Sequence, residues 1–339
     1  MRRPKLLLVA VALAACGLAA PSSPAPAKAP KPKKLRVTVL DTLSHAPLYI
    51  AEEEGFFADE GLAIDGLTFR DTAAALPGLA AGDIDVYLGT IGPNVLNLIA
   101  RAGNVKLVVA RSGQRPEGCA AYAIVAKREL VESGRLKRPA DLRGLRIGTE
   151  RTSANFYVIS ALLEAGGLTL DDVEASNVPP RLKPEAFERD LLDVSTSSEP
   201  WMTRMVESGS AAVWLPTRDI VPGFQYGVML FGPRLLEDDR ESGRRFVTAY
   251  LRGVRQYARD GKTDRHVAIV AQRLRLDADF VRRTCWPYHP PDGHVDRDSL
   301  DRYQTWAVKA GFLDRKLAAD EVWDRSFVDH ANAVLDRRE

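Results

Sequence analysis

The feature that most constrains the fold of this chain is a strand–helix–strand pattern beginning at residue 35. Apolar and polar side chains alternate over residues 35–40, which is the period of a β-strand. Next, Ser44 can cap a helix whose first turn includes Pro47, because the amides of a first turn have no helical partners. Residues 62–67 predict the following strand. Open α/β sheets bind ligands at the carboxyl ends of strands, so loop 41–46 is a candidate ligand loop.

Strand-like and helix-like stretches alternate along the rest of the chain and predict an α/β fold with largely parallel, doubly wound sheets. Residues 111–120 contain two glycines and a proline and interrupt the pattern. The alternation then begins afresh and predicts a second α/β lobe of roughly a hundred residues. We predict its strands at 122–126, 145–148, 177–178 and 211–214, then a strand at 227–231 and helices at 240–259, 266–274, 300–310 and 319–336.

The amino terminus has the pattern of an export signal. Three basic residues precede the apolar run 6–14, which is about half the roughly 20 residues that a membrane-spanning helix needs. The run leads into Leu-Ala-Ala-Cys, ending at Cys16, which resembles the lipobox of bacterial lipoproteins. An ordinary signal peptide with an incidental cysteine is the alternative. We therefore expect a lipoprotein signal peptide at 1–15, lipidation of Cys16, and a Pro/Ala/Lys-rich tether at 16–34 with a reach on the order of 50 Å.

The charge of the chain argues against a nucleic-acid partner. The first 34 residues carry seven of the 47 basic side chains and none of the 45 acidic ones, so the remainder has a formal net charge of −5. Nucleic-acid binding requires clustered Lys and Arg on one face. With 339 residues and 45% apolar content, the chain can bury a large core and exceeds the size of one typical domain.

Four separate motifs, in order, resemble one family. They read HAPLYIAEEEGFFADEGLAI, AAGDIDVYLGTIGP, DLRGLRIG with the Ser/Thr-rich turn after it, and SSEPWMTRMVESG. Each resembles the corresponding part of the solute-binding proteins of ABC importers in the nitrate, sulfonate, taurine and thiamine-pyrimidine group. The resemblance extends from about residue 35 to residue 330.

The resemblance implies a periplasmic-binding-protein type II fold of two doubly wound lobes joined by a two-stranded hinge. Lobe 1 would comprise 35–113 and 222–339, and lobe 2 would comprise 114–221, with crossings near 111–120 and 215–227. Such a monomer closes on a small molecule and delivers it to an ABC permease. We expect a lipid anchor on the periplasmic side of a bacterial membrane, or at the cell surface of a Gram-positive organism.

In lobe 1, two loops at strand ends are candidates for ligand contact. They contribute Thr42, Ser44 and His45, and then Gly89 and Thr90. Gly89 lets the main chain approach a ligand closely, and the amides before the next helix point towards it. The alternatives are that Ser44 is only a helix cap, that His45 is a packed or solvated imidazole, and that the glycine turn holds no ligand.

In lobe 2, two further stretches are candidates. A guanidinium beside a helix N-terminus suits an anionic group, whereas a carboxylate favours a cation or hydrogen-bond donor, so the sign of the ligand's charge stays open. The alternative for the first stretch is ordinary helix capping with the arginine in water. An aromatic residue in the second could stack on a planar ligand. The candidates are Arg151, Thr152, Ser153 and Asn155, followed by Ser195, Thr196, Glu199 and Trp201.

No common catalytic or metal-binding motif is recognisable in the sequence. The sequence contains no phosphate loop, no GxSxG, no HExxH and no CxxC, and the stretch 285–294 fits no zinc spacing. We predict no catalytic residue, no metal and no cofactor. Three cysteines rule out a disulfide scaffold, and we expect Cys119 and Cys285 to be free, with a disulfide as the alternative.

The ligand and the downstream partner stay open at this point. Pyrimidines, sulfonates and other small heterocycles or anions all suit the implied fold. A receptor for a membrane signalling protein is one alternative function. A pyrimidine-synthesising enzyme of the same fold is another, but this chain lacks the CCCFC element of those relatives.

Overall fold

A computed structural model describes residues 31–69, 72–151 and 153–338 of the chain. The expected signal peptide, Cys16 and the tether up to residue 30 lie outside the described residues, as does Thr152. Residues 32–339 form one compact unit. Within the described part of the chain, no helix is both long and apolar enough to cross a bilayer.

The first sheet has five strands in the order β2-β1-β3-β10-β4. Strand β1 runs parallel to β2 and β3, whereas β10 lies antiparallel between β3 and β4. The last third of the chain therefore returns to fill the middle of a sheet that the first third builds. The strands are β1 Lys33–Val39, β2 Leu62–Thr68, β3 Val86–Thr90, β4 Lys106–Gly113 and β10 Gln225–Phe231.

The second sheet also has five strands, in the order β7-β6-β8-β5-β9. Strand β6 is parallel to β7 and β8, and β5 is antiparallel to β8 and β9. The predicted α/β fold is confirmed, with one antiparallel departure from the parallel pattern in each sheet. The strands are β5 Tyr122–Lys127, β6 Arg146–Gly148, β7 Glu174–Ser176, β8 Val194–Ser198 and β9 Ala211–Pro216.

Helices cover the sheets. The longest, α9, buries an apolar face and crosses α1 at Gly253, where a Cβ atom would lie 2.7 Å from the Cβ of Ala51. The helices are α1 Ala46–Glu53, α2 Phe56–Asp59, α3 Leu76–Ala80, α4 Pro93–Ala102, α5 Arg128–Glu132, α6 Ala154–Ala165, α7 Lys183–Glu188, α8 Trp201–Glu207, α9 Arg240–Asp260, α10 Asp264–Leu274, α11 Ala278–Arg283, α12 Arg297–Lys309, α13 Ala319–Val322 and α14 Ser326–Leu335.

Several local predictions were wrong. Ser44 does not cap α1: it lies in a 3-10 turn at Leu43–His45, and its hydroxyl is 2.8 Å from that of Thr42. Residues 195–198 of the second candidate stretch in lobe 2 lie in strand β8, which was not predicted. Ser195 is buried there, with its hydroxyl oxygen 2.7 Å from the carbonyl oxygen of Gly148 and 2.9 Å from that of Thr196. Strand β7 precedes the predicted 177–178, and the predicted helix 319–336 is two helices.

The two cysteines expected to be free form a disulfide. Cys119 and Cys285 are bonded, with 5.8 Å between their Cα atoms. The backbone explains how residues so distant in sequence meet: the amide of Gly113 donates to the carbonyl of Tyr288 at 3.0 Å, so the loop after α11 lies along the end of β4. That juxtaposition is tertiary, and no spacing in the sequence records it.

Candidate functional site

A buried arginine lies where the first sheet ends. Arg111, near the end of β4, is 2% exposed. Its guanidinium donates to the carbonyl of Ser44 at 2.8 Å and to that of Gly89 at 3.4 Å. The predicted loop 42–45 and Gly89 are thus held together by one cation, although Gly89 and Thr90, predicted on a loop, are the last two residues of β3.

Two buried histidines accompany this guanidinium. Nδ1 of His45 lies 3.2 Å from the hydroxyl oxygen of Thr42, and His289 comes from the loop that carries the disulfide. Burial, with Arg111 nearby, holds the pKa of both imidazoles well below the ordinary value, although the Arg111 backbone partly opposes this at His289. Both rings are therefore neutral at neutral pH.

Tyrosines complete the cluster and link the two sheets. Tyr250 of α9 is buried beside Arg111; burial raises the pKa of its phenol and the guanidinium opposes that rise. Tyr122 of the second sheet donates to the hydroxyl of Ser112 at 2.9 Å. Its ring stacks on that of Tyr226 from the first sheet, with 4.3 Å between centroids. The carboxyl ends of both sheets therefore meet at this point.

We name His45, Arg111, Tyr250 and His289 the basic cluster. Among the described residues, Nε2 of His45, Nε of Arg111, the Tyr250 hydroxyl and both ring nitrogens of His289 have no hydrogen-bond partner of good geometry. Buried polar groups are nearly always paired, so such a concentration needs an explanation. The charged residues that act on these histidines and this tyrosine are Arg111 and Arg115, both cationic.

The loop after β6 contains polar side chains both with and without hydrogen-bond partners. The Thr149 hydroxyl is buried without a partner among the described residues. Ser153 caps α6, accepting the amide of Asn155 at 3.2 Å, and the Asn155 side chain donates to Glu150 at 2.9 Å. Arg151 is exposed, with its guanidinium 5.5 Å from the ring centroid of Phe156. The capping alternative thus accounts for the contacts of Ser153.

The candidates near the end of β8 contact other parts of the protein. Thr196 accepts from the ammonium of Lys183. Glu199 is buried and accepts from the amide and hydroxyl of Thr203 and from the amide of Cys285 at 3.2 Å. Burial raises the pKa of this carboxyl, and those hydrogen bonds oppose the rise. Trp201 is half-buried under the guanidinium of Arg204.

Among the described residues, no group of three or more His, Cys, Asp or Glu side chains is arranged to hold a metal ion.

Comparison with known sequences decides the family. The family described as NMT1/THI5 like matches residues 42–261, nearly two thirds of the chain. The chain belongs to this NMT1/THI5-like family.

Two relatives of this NMT1/THI5-like chain have named roles. It is 25% identical over 233 residues, 67% of both chains, to a protein of Brucella abortus named as a candidate binding protein. It is 27% identical over 180 residues to the taurine-binding periplasmic protein of Escherichia coli, which covers 52% of each chain.

Solved structures share the fold of this NMT1/THI5-like protein. The alkanesulfonate-binding protein SsuA of Xanthomonas axonopodis superimposes with a TM-score of 0.69 at 20% identity, covering 87% of this chain and 99% of that one. The nitrate-binding protein NrtA of Synechocystis gives 0.73 at 15% identity, covering 91% and 90%. The desulfurization enzyme DSZB gives 0.63 at 17% identity, covering 91% and 100%. At these identities the likeness establishes the fold alone.

Most of the basic cluster was not predicted from the sequence. Arg111 falls in the predicted break between lobes, although a cation directly after the apolar run 107–110 is itself a signal, because arginine is seldom fully buried without a partner. His289 enters the sequence predictions only within the stretch 285–294, which fits no zinc spacing, and Tyr250 only within the predicted helix 240–259. Only His45 was identified beforehand.

The buried histidines make the stability of this NMT1/THI5-like protein depend on pH. Their folded pKa lies below the ordinary value of 6.5, so the unfolded chain takes up protons first as the pH falls. The contribution of the neutral histidines to the free energy of unfolding is fully present above that value. It decreases below it, by up to about 1.4 kcal/mol per pH unit for each histidine.

Urea unfolding without ligand, between about pH 7 and about pH 5, measures this loss. The double variant His45→Gln/His289→Gln is expected to flatten the curve, whereas the exposed control His330→Gln is not. Parallel curves for the wild type and the double variant would contradict the assignment of neutral imidazoles.

Proposed function

We propose that this protein is an extracytoplasmic solute-binding protein that captures a small anion between two lobes and delivers it to an ABC permease. The lobes are 35–113 with 222–339, and 114–221, joined by a two-stranded hinge, and the protein acts as a monomer. Closure is a hinge motion, driven by contacts that the solute makes with both lobes only in the closed form.

The observation that carries this proposal is the basic cluster. A guanidinium, two neutral imidazoles and a phenol offer hydrogen-bond donors. No carboxylate is among the described groups that shift the pKa values of the two imidazoles and the phenol. Donors that converge in a site closed to water favour an oxyanion over a cation. The cluster lies where the two sheets meet, as a site between lobes requires.

The names of similar proteins point to the same class of solute. Taurine and alkanesulfonates carry a sulfonate group, and nitrate is a small oxyanion. The sulfonate group is tetrahedral and nitrate is planar, and both present oxygen atoms that a guanidinium can bind. We therefore place a sulfonate or a nitrate-like anion at Arg111, with any organic part of the solute directed towards the second sheet.

We propose binding without turnover. The fold also occurs in the enzyme DSZB, so the fold by itself does not separate the two roles. Incubating the protein with a bound solute and recovering that solute unchanged supports a receptor. Release of sulfite from a sulfonate would contradict it.

We also propose that Cys16 carries a lipid and that residues 16–34 tether the folded part to the periplasmic side of a bacterial membrane. The lipobox-like Leu-Ala-Ala-Cys supports this assignment. Metabolic labelling with an alkyne fatty acid tests it, and a protein that takes up no label would contradict it.

A thermal-shift and calorimetric screen of the folded part tests the solute class. The panel is ethanesulfonate, taurine and nitrate, with choline as a cation and 4-amino-5-hydroxymethyl-2-methylpyrimidine as a neutral heterocycle. An anion at 100 times its dissociation constant is expected to add about 2.7 kcal/mol to the free energy of unfolding. Binding of choline or the pyrimidine alone, or of no compound in the panel, would overturn the proposal.

A further inference from the structure

Lysine 183 is a buried cation that the basic cluster does not include. It lies at the start of α7 and is 1% exposed. Lysine is almost never fully buried unless it is paired, because removing an ammonium from water costs several kcal/mol. What Lys183 contacts is therefore informative.

Its ammonium joins two segments of the second sheet. It lies 3.0 Å from Oε1 of Glu150, in the loop that follows β6. It also donates to the carbonyl of Thr196 at 2.9 Å and to its hydroxyl at 3.3 Å, in β8. These are two of the stretches that are predicted from the sequence to contact the ligand.

Glu150 also contacts residues of its own loop and of α6. Its Oε2 accepts from the Asn155 side chain at 2.9 Å, and its carbonyl accepts from the Ser153 hydroxyl at 3.1 Å. The loop is thus tied both to Lys183 and to the first turn of α6. Loops are usually mobile, and Glu150 restrains this one through its contacts with Lys183, Ser153 and Asn155.

The fixed segments carry polar groups that lack partners. The hydroxyls of Thr149 and Ser197 are buried, and neither has a hydrogen-bond partner among the described residues. Thr149 is the neighbour of Glu150 in sequence, and Ser197 is the neighbour of Thr196. Shifts of the Lys183 contacts would therefore move both hydroxyls.

We propose that Lys183 is a positioning residue, which holds the ends of β6 and β8 in the arrangement that binds the solute without contacting the solute itself. This inference rests on the proposed function, because it assigns these strand ends to the solute site. A binding site needs its contact groups held to within about 0.5 Å, and a buried ion pair supplies that rigidity.

The test separates positioning from stability by removing both charges. Lys183→Met alone leaves the carboxylate of Glu150 without its cation and lowers the melting temperature. Replacing both partners of a buried pair is often nearly neutral, so Lys183→Met/Glu150→Gln should recover most of that loss. The matched control is Arg189→Met/Glu185→Gln, an exposed ion pair between α7 and the residue that follows it.

Two measurements are made on the wild type and both double variants. Calorimetric titration with ethanesulfonate, taurine and nitrate is expected to show affinity lower by about tenfold or more for Lys183→Met/Glu150→Gln, and unchanged for the control. Without ligand, hydrogen exchange over residues 148–157 and 194–199 is expected to rise in the first variant alone.

The outcomes are distinguishable. A stable Lys183→Met/Glu150→Gln variant with wild-type affinity, or with unchanged exchange in both segments, overturns the positioning role and leaves the proposed function intact. A wild type that binds none of the three anions overturns the proposed function and this inference with it. Lower anion affinity together with faster hydrogen exchange in these two segments supports the positioning role of Lys183.

Discussion

Replacing both Cys119 and Cys285 with serine is expected to lower the free energy of unfolding by about 3–5 kcal/mol. The disulfide joins residues 166 apart in sequence, so its loss gives the unfolded chain a large gain in conformational freedom. For a loop of this length the chain-entropy relation gives about 5 kcal/mol, and measured values are usually somewhat smaller.

Urea unfolding of the oxidised protein, the double variant and the wild type in reductant measures this effect. The reduced wild type should match the variant, and Cys16→Ser, which leaves the disulfide intact, should match the oxidised protein. A loss below about 1 kcal/mol would mean that the unfolded chain is already restricted in that region. Because Cys285 precedes His289 by four residues, the variant should also bind anions more weakly.

Replacing Arg111 with methionine is expected to abolish anion binding, at a loss of about 2–5 kcal/mol of binding free energy. Methionine keeps much of the volume of the side chain but removes the donors at the centre of the basic cluster. Arg111→Lys should fall between the two, because an ammonium keeps the charge and loses the planar fork of donors. Calorimetric titration with the anion that binds the wild type measures each loss.

The comparison variant is Arg151→Met, which removes the arginine that the sequence alone put forward. Its side chain is exposed, so we expect a loss below about 1 kcal/mol. Circular dichroism and the melting temperature without ligand report whether Arg111→Met has folded. If Arg111→Met folds and binds anions normally while Arg151→Met does not bind them, the anion site lies at the second sheet and not at Arg111.

Local periodicity predicted the elements well wherever one face is apolar. Helix α9, predicted at 240–259, differs from its prediction by one residue. Strand β8 was missed because four of its five residues are hydroxyl-bearing and read as a loop. Their burial depends on neighbouring strands that periodicity does not record.

The site was harder to predict than the fold. His45 and Ser44 lie on a loop at a strand end and Gly89 lies near the end of β3, and topology alone identifies such positions. Arg111 and His289 meet because the loop after α11 lies along the end of β4, which depends on pairing between residues that are far apart in sequence. No local pattern encodes that pairing, so the neighbours of the Arg111 charge could be found only in three dimensions.

The position of β10 bears on the order in which the growing chain can acquire structure. The strands of the second sheet all fall between residues 122 and 216, so they are available together as soon as that stretch has been synthesised. The first sheet lacks its inner strand until residue 231 has followed. Until then the backbone edges of β3 and β4 that β10 will occupy are free to pair with neighbouring chains instead.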